Sequence, residues 1–213
     1  MSITLTDPGA PNLEFERPAD RARLERTAAA LASRGFVAQI ADSSKEARRL
    51  VLEAIPDGAE VHVALSETMG ELGITAEIDQ SGRYDSVRSR LSTLDRATQG
   101  RQIAKLGAAP DYIVGSAHAV TDAGEIIVGS GSGSQLGAYA YAAGHVILVI
   151  GHQKLVPNLG AGLRRVREYS LPREHARMQS TGRAGSMLTK TLIIHSDPTS
   201  RITIILVPET LGF

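Results

Sequence analysis

The sequence predicts an α/β protein built on a largely parallel β-sheet. Short apolar segments typical of strands alternate with segments of helical periodicity along most of the 213 residues. Residues 145–150 (His-Val-Ile-Leu-Val-Ile) form a continuous apolar, β-branched run after the first histidine. Such a run is typical of a strand that is buried on both faces of a parallel sheet.

The first element is a helix over residues 19–34. Leu24, Ala28 and Leu31 recur at helical spacing, and Gly35 supplies a C-terminal stop. The preceding residues 1–18 contain three prolines and little periodicity, which favours an N-terminal tail or arm. Residues 19–213 are therefore expected to form a single domain.

The next elements alternate strand and helix. Residues 36–40 predict a strand, and Ser43 with Glu46 forms the capping box of the helix that follows. Residues 61–65 predict another strand, and residues 66–72 a short helix. The periodicity then predicts a long, mostly polar helix over residues 84–106, whose arginines face solvent.

The second half repeats this alternation. We predict a small-residue helix at 135–143 and a further helix capped by Asn158. The expected strands are residues 112–114, 119–121, 125–128, 145–150, 192–194 and 202–207.

Composition excludes several function classes. The 23 basic and 23 acidic residues cancel, which argues against a nucleic-acid partner bound through phosphate neutralisation. The absence of cysteine excludes disulfides, thiolate catalysis and an iron–sulfur cluster ligated by cysteines of this sequence. We find no signal peptide and no apolar stretch of the roughly 20 residues that a membrane helix needs. A cytoplasmic protein without a membrane partner is the expectation.

A glycine- and serine-rich segment is the most informative local feature. It follows a predicted strand and precedes a predicted helix, where backbone N–H groups and hydroxyls favour an anion. The alternative, a flexible loop without a ligand, stays open. The spacing fits neither a dinucleotide-binding fingerprint nor a P-loop. The segment consists of Gly129, Ser130, Gly131, Ser132, Gly133 and Ser134.

Other polar residues lie where ligands collect in such sheets. Ser66 and Thr68 follow a predicted strand, although Ser66 also suits an ordinary helix N-cap. Glu125 follows a turn and could act as a base or nucleophile, or be a plain turn residue. Lys154 follows the buried strand and could meet an anion, or be an ordinary loop lysine. The six histidines show no metal-ligand spacing, so no metal site is predicted.

Several segments together resemble the LUD domain family, the lactate-utilisation domain of LutC-like and YkgG-like proteins. Residues 111–116 and 119–124 are similar to the family's strand and its turn with an acid and a glycine. Residues 146–151, the Lys-Leu-Val-Pro segment at 154–157 and the arginine-rich helix at 164–167 are also similar. So are residues 201–207 and 211–213. Ser66, Thr68, Glu71, Gly73 and Ile74 fall where the family has a serine, threonine, glutamate and Gly-Ile pair.

The resemblance implies a three-layer α/β sandwich like that of glucosamine-phosphate deaminases, ribose-phosphate isomerases and CoA-transferases. It also implies a role in converting L-lactate to pyruvate beside iron–sulfur partner subunits. The sequence departs from the family in two places. Ala64-Leu65 replaces a glycine pair, and residues 186–190 lack the cysteine cluster of many short members. The chain is thus expected to bind no cofactor of its own.

These observations predict a protein of small-carboxylate metabolism that binds an anionic metabolite at the carboxyl ends of the strands. Glu125 is the candidate catalytic carboxylate. One alternative is a non-catalytic subunit that assembles with iron–sulfur redox partners, and another is an isomerase or CoA-transferase-like enzyme. The candidate ligand-binding residues are Ser66, Thr68, Gly115, Ser116, Lys154 and the segment Gly129, Ser130, Gly131, Ser132, Gly133 and Ser134.

Overall fold

The computed structural model describes residues 6–213. Its elements alternate strand and helix through most of the chain. The helices are α1 (Arg21–Ser33), α2 (Ser44–Glu53), α3 (Glu67–Glu71), α4 (Ile74–Gln80), α5 (Val87–Ser92), α6 (Gly100–Ala108), α7 (Leu159–Arg165) and α8 (Leu171–Ser180). The strands are β1 (Val37–Ile40), β2 (Glu60–Val63), β3 (Asp85–Ser86), β4 (Tyr112–Gly115), β5 (Ala119–Thr121), β6 (Ile126–Ser130), β7 (His145–Gly151), β8 (Leu155–Val156), β9 (Lys190–Ile194) and β10 (Ile202–Val207).

The large sheet has six strands in the order β1-β10-β7-β4-β2-β3, and every pair is parallel. Strand β7 lies at its centre, as expected for the β-branched run. Its side chains alternate between two cores, with Val146, Leu148 and Ile150 on one face and Ile147 and Val149 on the other. The predicted α/β fold with a mainly parallel sheet is confirmed.

Helices and a second sheet cover the two faces of the large sheet. Helices α2, α3 and α4 pack on one face through residues such as Val51, Met69 and Ile78. Helix α1 covers the other face with Leu24 and Leu31, and it shares this core with Val120 of the second sheet. The arrangement is consistent with the expected three-layer sandwich.

The second sheet has four strands in the order β8-β5-β6-β9 and mixed direction. Its outer face packs against α7 through Ile127, Val156 and Leu163. The sequence predicted β5, β6 and β9 but not the two-residue strand β8. It also did not reveal that these strands form a separate sheet, because pairing partners are set by tertiary packing.

Two predicted helices differ in the structure. The polar helix expected over residues 84–106 is divided into β3, α5 and α6, with turns between the two helices. Arg96 and Arg101 are exposed as expected, whereas Arg88 pairs with Asp79 at 3.1 Å and Arg90 with Asp85 at 2.9 Å. The helix expected at 135–143 is present over residues 136–142, with π-helical hydrogen bonding over Ala138–Ala142.

The predicted N-terminal arm is described only from residue 6, and its first five residues lie outside the structure. Within it, Leu13–Glu16 forms a 3-10 helix. The Asn12 N–H donates to the Glu168 carbonyl at 2.8 Å, and Phe15 packs beside α7. None of the described helices combines the length and apolar character that crossing a bilayer requires.

Candidate functional site

Three residues predicted to bind an anion meet at one edge of the large sheet. The Lys154 ammonium donates to the Thr68 hydroxyl at 2.9 Å and to the Ser116 hydroxyl at 3.0 Å. Thr68, Ser116 and Lys154 follow β2, β4 and β7, which are neighbours in the sheet. Because parallel strands end at the same edge, residues distant in sequence converge there.

The side chain of Lys154 is buried, since its residue is only 1% exposed. Both hydroxyls donate onward to carbonyl oxygens, Thr68 to Leu211 at 3.2 Å and Ser116 to Val149 at 2.7 Å. They therefore accept from the ammonium as neutral dipoles. No carboxylate within residues 6–213 lies within 4.0 Å of the ammonium nitrogen. One of its three N–H donors stays available.

The electrostatic consequence is a lowered pKa. Burial, followed by the nearby Arg165 charge, lowers the pKa of Lys154 to about 7. An anion in contact with the ammonium would offset both effects. The arrangement therefore favours binding of a negatively charged ligand.

Arg165 is a second buried cation beside Lys154. Its residue is 0% exposed, and one terminal nitrogen, Nη1, donates to the His118 carbonyl and to the Ser170 hydroxyl. Its guanidinium carbon lies 4.8 Å from the centroid of the Tyr169 ring. The Nε and Nη2 atoms have no hydrogen-bond partner among the described residues. Burial lowers the pKa of Arg165 to about 10, which leaves it charged at neutral pH.

His118 completes the group of residues that we call the basic cluster: Thr68, Ser116, His118, Lys154 and Arg165. The His118 Nδ1 accepts from the Gly129 N–H at 3.1 Å, so a neutral ring carries its proton on Nε2. Burial, then the charges of Lys154 and Arg165, lowers the pKa of His118 to about 3. The imidazole is thus neutral and can donate, but not supply charge.

The segment after β10 closes one side of the basic cluster. The Gln153 amide donates to the Leu211 and Gly212 carbonyls at 3.0 Å, and the Gly212 N–H donates to Glu71 at 2.7 Å. Gly212 adopts a left-handed φ of 55°, and a Cβ there would lie 2.5 Å from the Thr68 hydroxyl. Only glycine allows this close approach.

The glycine- and serine-rich segment is not an open loop that presents free donors to an anion. Gly129 and Ser130 belong to β6 and pair with β9. The Ser130 hydroxyl accepts from the Gly133 N–H at 2.8 Å, and the Ser132 hydroxyl donates to that of Ser134 at 3.1 Å. These serine hydroxyls are therefore engaged within the segment or with Gln135 directly after it. The segment is linked to the basic cluster by the Gly129–His118 hydrogen bond.

Its remaining glycines lie against neighbouring groups. A Cβ on Gly131 would lie 3.0 Å from the Met187 carbonyl oxygen, and one on Gly133 2.6 Å from the Lys190 side chain. Close packing accounts for Gly131, and Gly133 has a left-handed φ of 82° that favours glycine.

Glu125 lies at the turn before β6. Its carboxylate accepts from the Thr121 hydroxyl at 2.9 Å and lies 3.5 Å from His195 Nδ1. No hydrogen bond or ion pair joins Glu125 to the basic cluster within the described chain. The structure thus does not bring the predicted catalytic carboxylate into contact with Lys154.

Ser66 and Gly115 frame the site without a contact to Lys154. Ser66 precedes α3 as its N-cap, but its side chain makes no capping hydrogen bond. Gly115 is buried, and a Cβ there would lie 1.9 Å from the Tyr139 hydroxyl. Close packing against Tyr139 accounts for this glycine.

Arg165 and His118 were missed as site residues in the sequence. One signal could have indicated Arg165: Gly162, Arg165 and Tyr169 recur at helical spacing, which places the arginine on the buried face of α7 and the following turn. His118 offered no comparable signal, because a single histidine before a strand is common in cores.

Two open surface depressions lie elsewhere. One, of about 440 Å³, is lined by α2 side chains including Arg48 and Leu52. The other, of about 540 Å³, is lined by residues including Asp7 and Met187. Neither includes the basic cluster, which is marked by its charge and hydrogen bonding. Among residues 6–213, no group of three His, Asp or Glu residues is arranged to hold a metal.

Comparison with known proteins gives two findings. The family model described as the LUD domain matches residues 24–208. The solved structure of a DUF162 family protein from Deinococcus radiodurans is similar in fold, with a TM-score of 0.55 and 15% sequence identity. The similarity covers 89% of this chain and 99% of that one. No curated protein matches significantly.

Proposed function

The chain belongs to the LUD domain family, and we propose that it binds a small carboxylate of lactate metabolism at the basic cluster. The proposed ligands are 2-hydroxy and 2-oxo acids such as L-lactate and pyruvate. The family membership supports the metabolic context. The chemistry of the cluster supports the ligand's charge.

The observation that carries this proposal is the buried amine of Lys154, whose hydrogen-bond partners are two neutral hydroxyls. The Glu71 charge raises the pKa of Lys154, but by less than burial and the Arg165 charge lower it. A buried charge normally has a partner of opposite sign, because desolvation costs several kcal/mol per ion. A bound carboxylate would supply that charge and take the remaining N–H donor. The Thr68 and Ser116 hydroxyls would hold the ammonium in place.

Oxidation of lactate also needs an electron acceptor. The sequence has no cysteine with which to ligate an iron–sulfur cluster. We therefore propose that any lactate oxidation takes place together with a redox partner. Co-purification of the tagged chain with an iron–sulfur protein would support this assembly.

Thermal unfolding in the presence of small acids tests the proposed ligand class. We expect L-lactate or pyruvate, at tenfold excess over its Kd, to raise the Tm by about 3 to 6 °C. The panel includes a sugar phosphate and an acyl-CoA, since the family resemblance implies a fold like that of isomerases and CoA-transferases. An acyl-CoA response together with a thioester on Glu125 would favour the transferase alternative.

Two variants locate the response. Lys154→Met removes the buried charge and should abolish the shift. Lys105→Met removes an exposed lysine of α6 and should leave the shift unchanged. No stabilisation of the wild type by any member of the panel would overturn the proposal.

A further inference from the structure

The guanidinium of Arg165 presents an unused pair of donors in the protein interior. Nη1 is engaged with the His118 carbonyl and Ser170, whereas Nε and Nη2 are buried without a partner. Nε and Nη2 lie in the guanidinium plane along the same edge, opposite the edge occupied by Nη1. Their N–H bonds run parallel, in the geometry that matches the two oxygens of a carboxylate.

The described part of the protein supplies no acceptor for these two donors. No carboxylate in the described part of the chain forms an ion pair with Arg165, and residues 1–5 (Met-Ser-Ile-Thr-Leu) contain none. Glu16 is linked to Arg165 only through Tyr169, whose hydroxyl donates to the Glu16 carboxylate at 2.9 Å and whose ring lies under the Arg165 guanidinium. The Glu16 carboxylate also lies 3.4 Å from Arg173. Leaving a buried charged donor unpaired is costly, so a ligand is the natural partner.

Arg165 lies close to the other members of the basic cluster. Arg165 binds the carbonyl of His118, the residue directly before β5. Strand β5 pairs with β8 in the register Val120–Leu155, so Lys154 lies beside Ala119, the neighbour of His118. Lys154 and Arg165 are therefore close in the fold, as the effect of the Arg165 charge on the pKa of Lys154 also indicates.

We propose that Arg165 binds the carboxylate of the ligand side-on through Nε and Nη2. This inference rests on the proposed function, which places the ligand at the basic cluster. It restricts the ligand class to planar carboxylates with a second polar group near Lys154. A 2-hydroxy or 2-oxo acid fits this description. A neutral amide of the same shape would lose the charged contact.

Calorimetric titration of L-lactate and L-lactamide at pH 6.5 tests the assignment. Arg165→Lys keeps a positive charge but removes the parallel donor pair. It should weaken lactate binding about tenfold to a hundredfold, while changing any lactamide affinity less than threefold. Arg164→Lys is the matched control, since Arg164 precedes it on the same helix and is exposed. This variant should bind lactate like the wild type.

The outcomes separate this inference from the proposed function. Loss of binding with Lys154→Met but wild-type affinity with Arg165→Lys would overturn the role of Arg165 alone. Absence of lactate and pyruvate binding to the wild type would overturn both. Titration with inorganic phosphate tests whether the site selects a planar anion. A higher affinity for phosphate than for lactate would overturn the assignment of a planar carboxylate.

A structure of the wild-type protein with pyruvate decides the question if Arg165→Lys does not fold. We expect both carboxylate oxygens at about 2.7 to 2.9 Å from Nε and Nη2. Pyruvate bound elsewhere, with water against these two nitrogens, would overturn the assignment.

Discussion

At the scale of single residues, the charge of Lys154 should control binding. Its pKa near 7 means that the ammonium form dominates below neutrality, whereas the Arg165 charge persists to about pH 10. His118, with a pKa near 3, stays neutral throughout this range. A ligand that requires the ammonium should therefore bind best below pH 7.

The pH dependence of lactate affinity is the first prediction. The association constant should be level between about pH 5.5 and 6.5 and fall towards tenfold per pH unit above about pH 8, as Lys154 loses its proton. Titration calorimetry across this range measures it, with Lys154→Met as the reference. The same slope in the wild type and in Lys154→Met would contradict the role of this lysine.

The second prediction concerns the stability of the unliganded protein. Between about pH 7 and 10, Lys154 binds a proton in the unfolded chain but not in the folded one, so its contribution to folding becomes more favourable as pH rises. Lys154→Met removes the buried charge. The variant should be more stable than the wild type at pH 6, with the difference shrinking towards pH 10. Urea unfolding at both pH values tests this, and a constant difference would count against it.

Gly115 allows packing and ligand binding to be separated. Gly115→Ala should destabilise the protein by about 1 to 3 kcal/mol, because the new methyl meets the Tyr139 hydroxyl. Gly70→Ala is the control, since a Cβ there meets nothing within 4 Å. It should change stability by less than about 1 kcal/mol. Unchanged stability of Gly115→Ala with loss of lactate binding would instead favour the predicted ligand contact.

The sequence could indicate Thr68, Ser116 and Lys154 because each follows a recognisable strand of a parallel sheet. Local patterns do not show which polar atoms remain unpaired after folding. The free donors of Arg165 are such a property, since they depend on the packing of α7, Tyr169 and the loop before β5. The sequence for the same reason did not reveal that Glu125 pairs with Thr121 and His195.

At the scale of secondary structure, strands were predicted more accurately than the polar helices. Strands β7 and β10 are long β-branched runs buried on both faces, so their own composition identifies them. Residues 84–106 have helical residues but few apolar positions, and they form ion pairs outside the segment, from Arg88 to Asp79 and from Arg90 to Glu60. Such tertiary contacts leave little trace in local periodicity.

The start of β10 supplies a prediction at this scale. The buried Asp197 carboxylate accepts from the Ile202 N–H at 2.5 Å and from the Thr199 hydroxyl at 2.6 Å. Asp197→Ala would leave these donors without a partner and should cost about 2 to 4 kcal/mol.

Urea unfolding measures this cost. Asp57→Ala is the control, because Asp57 is exposed and its ion pair with Arg83 should contribute less than about 1 kcal/mol. Equal stability of the two variants would show that Asp197 does not anchor the strand.

At the scale of the whole molecule, the two sheets together form the basic cluster. The large sheet contributes Thr68, Ser116 and Lys154 from the ends of adjacent strands, and His118 and Arg165 come from the part built around the small sheet. No single segment holds the site. A ligand bound there would contact both parts and stabilise the packing of one against the other.

The central claim is that the two buried, unpaired cations hold a small carboxylate. Titration of pyruvate into the wild type and Lys154→Met at pH 6.5, side by side, tests it most directly. We expect saturable binding to the wild type and at least a tenfold weaker association with the variant. Equal affinity of the two proteins, or no heat of binding to the wild type at millimolar pyruvate, would contradict it.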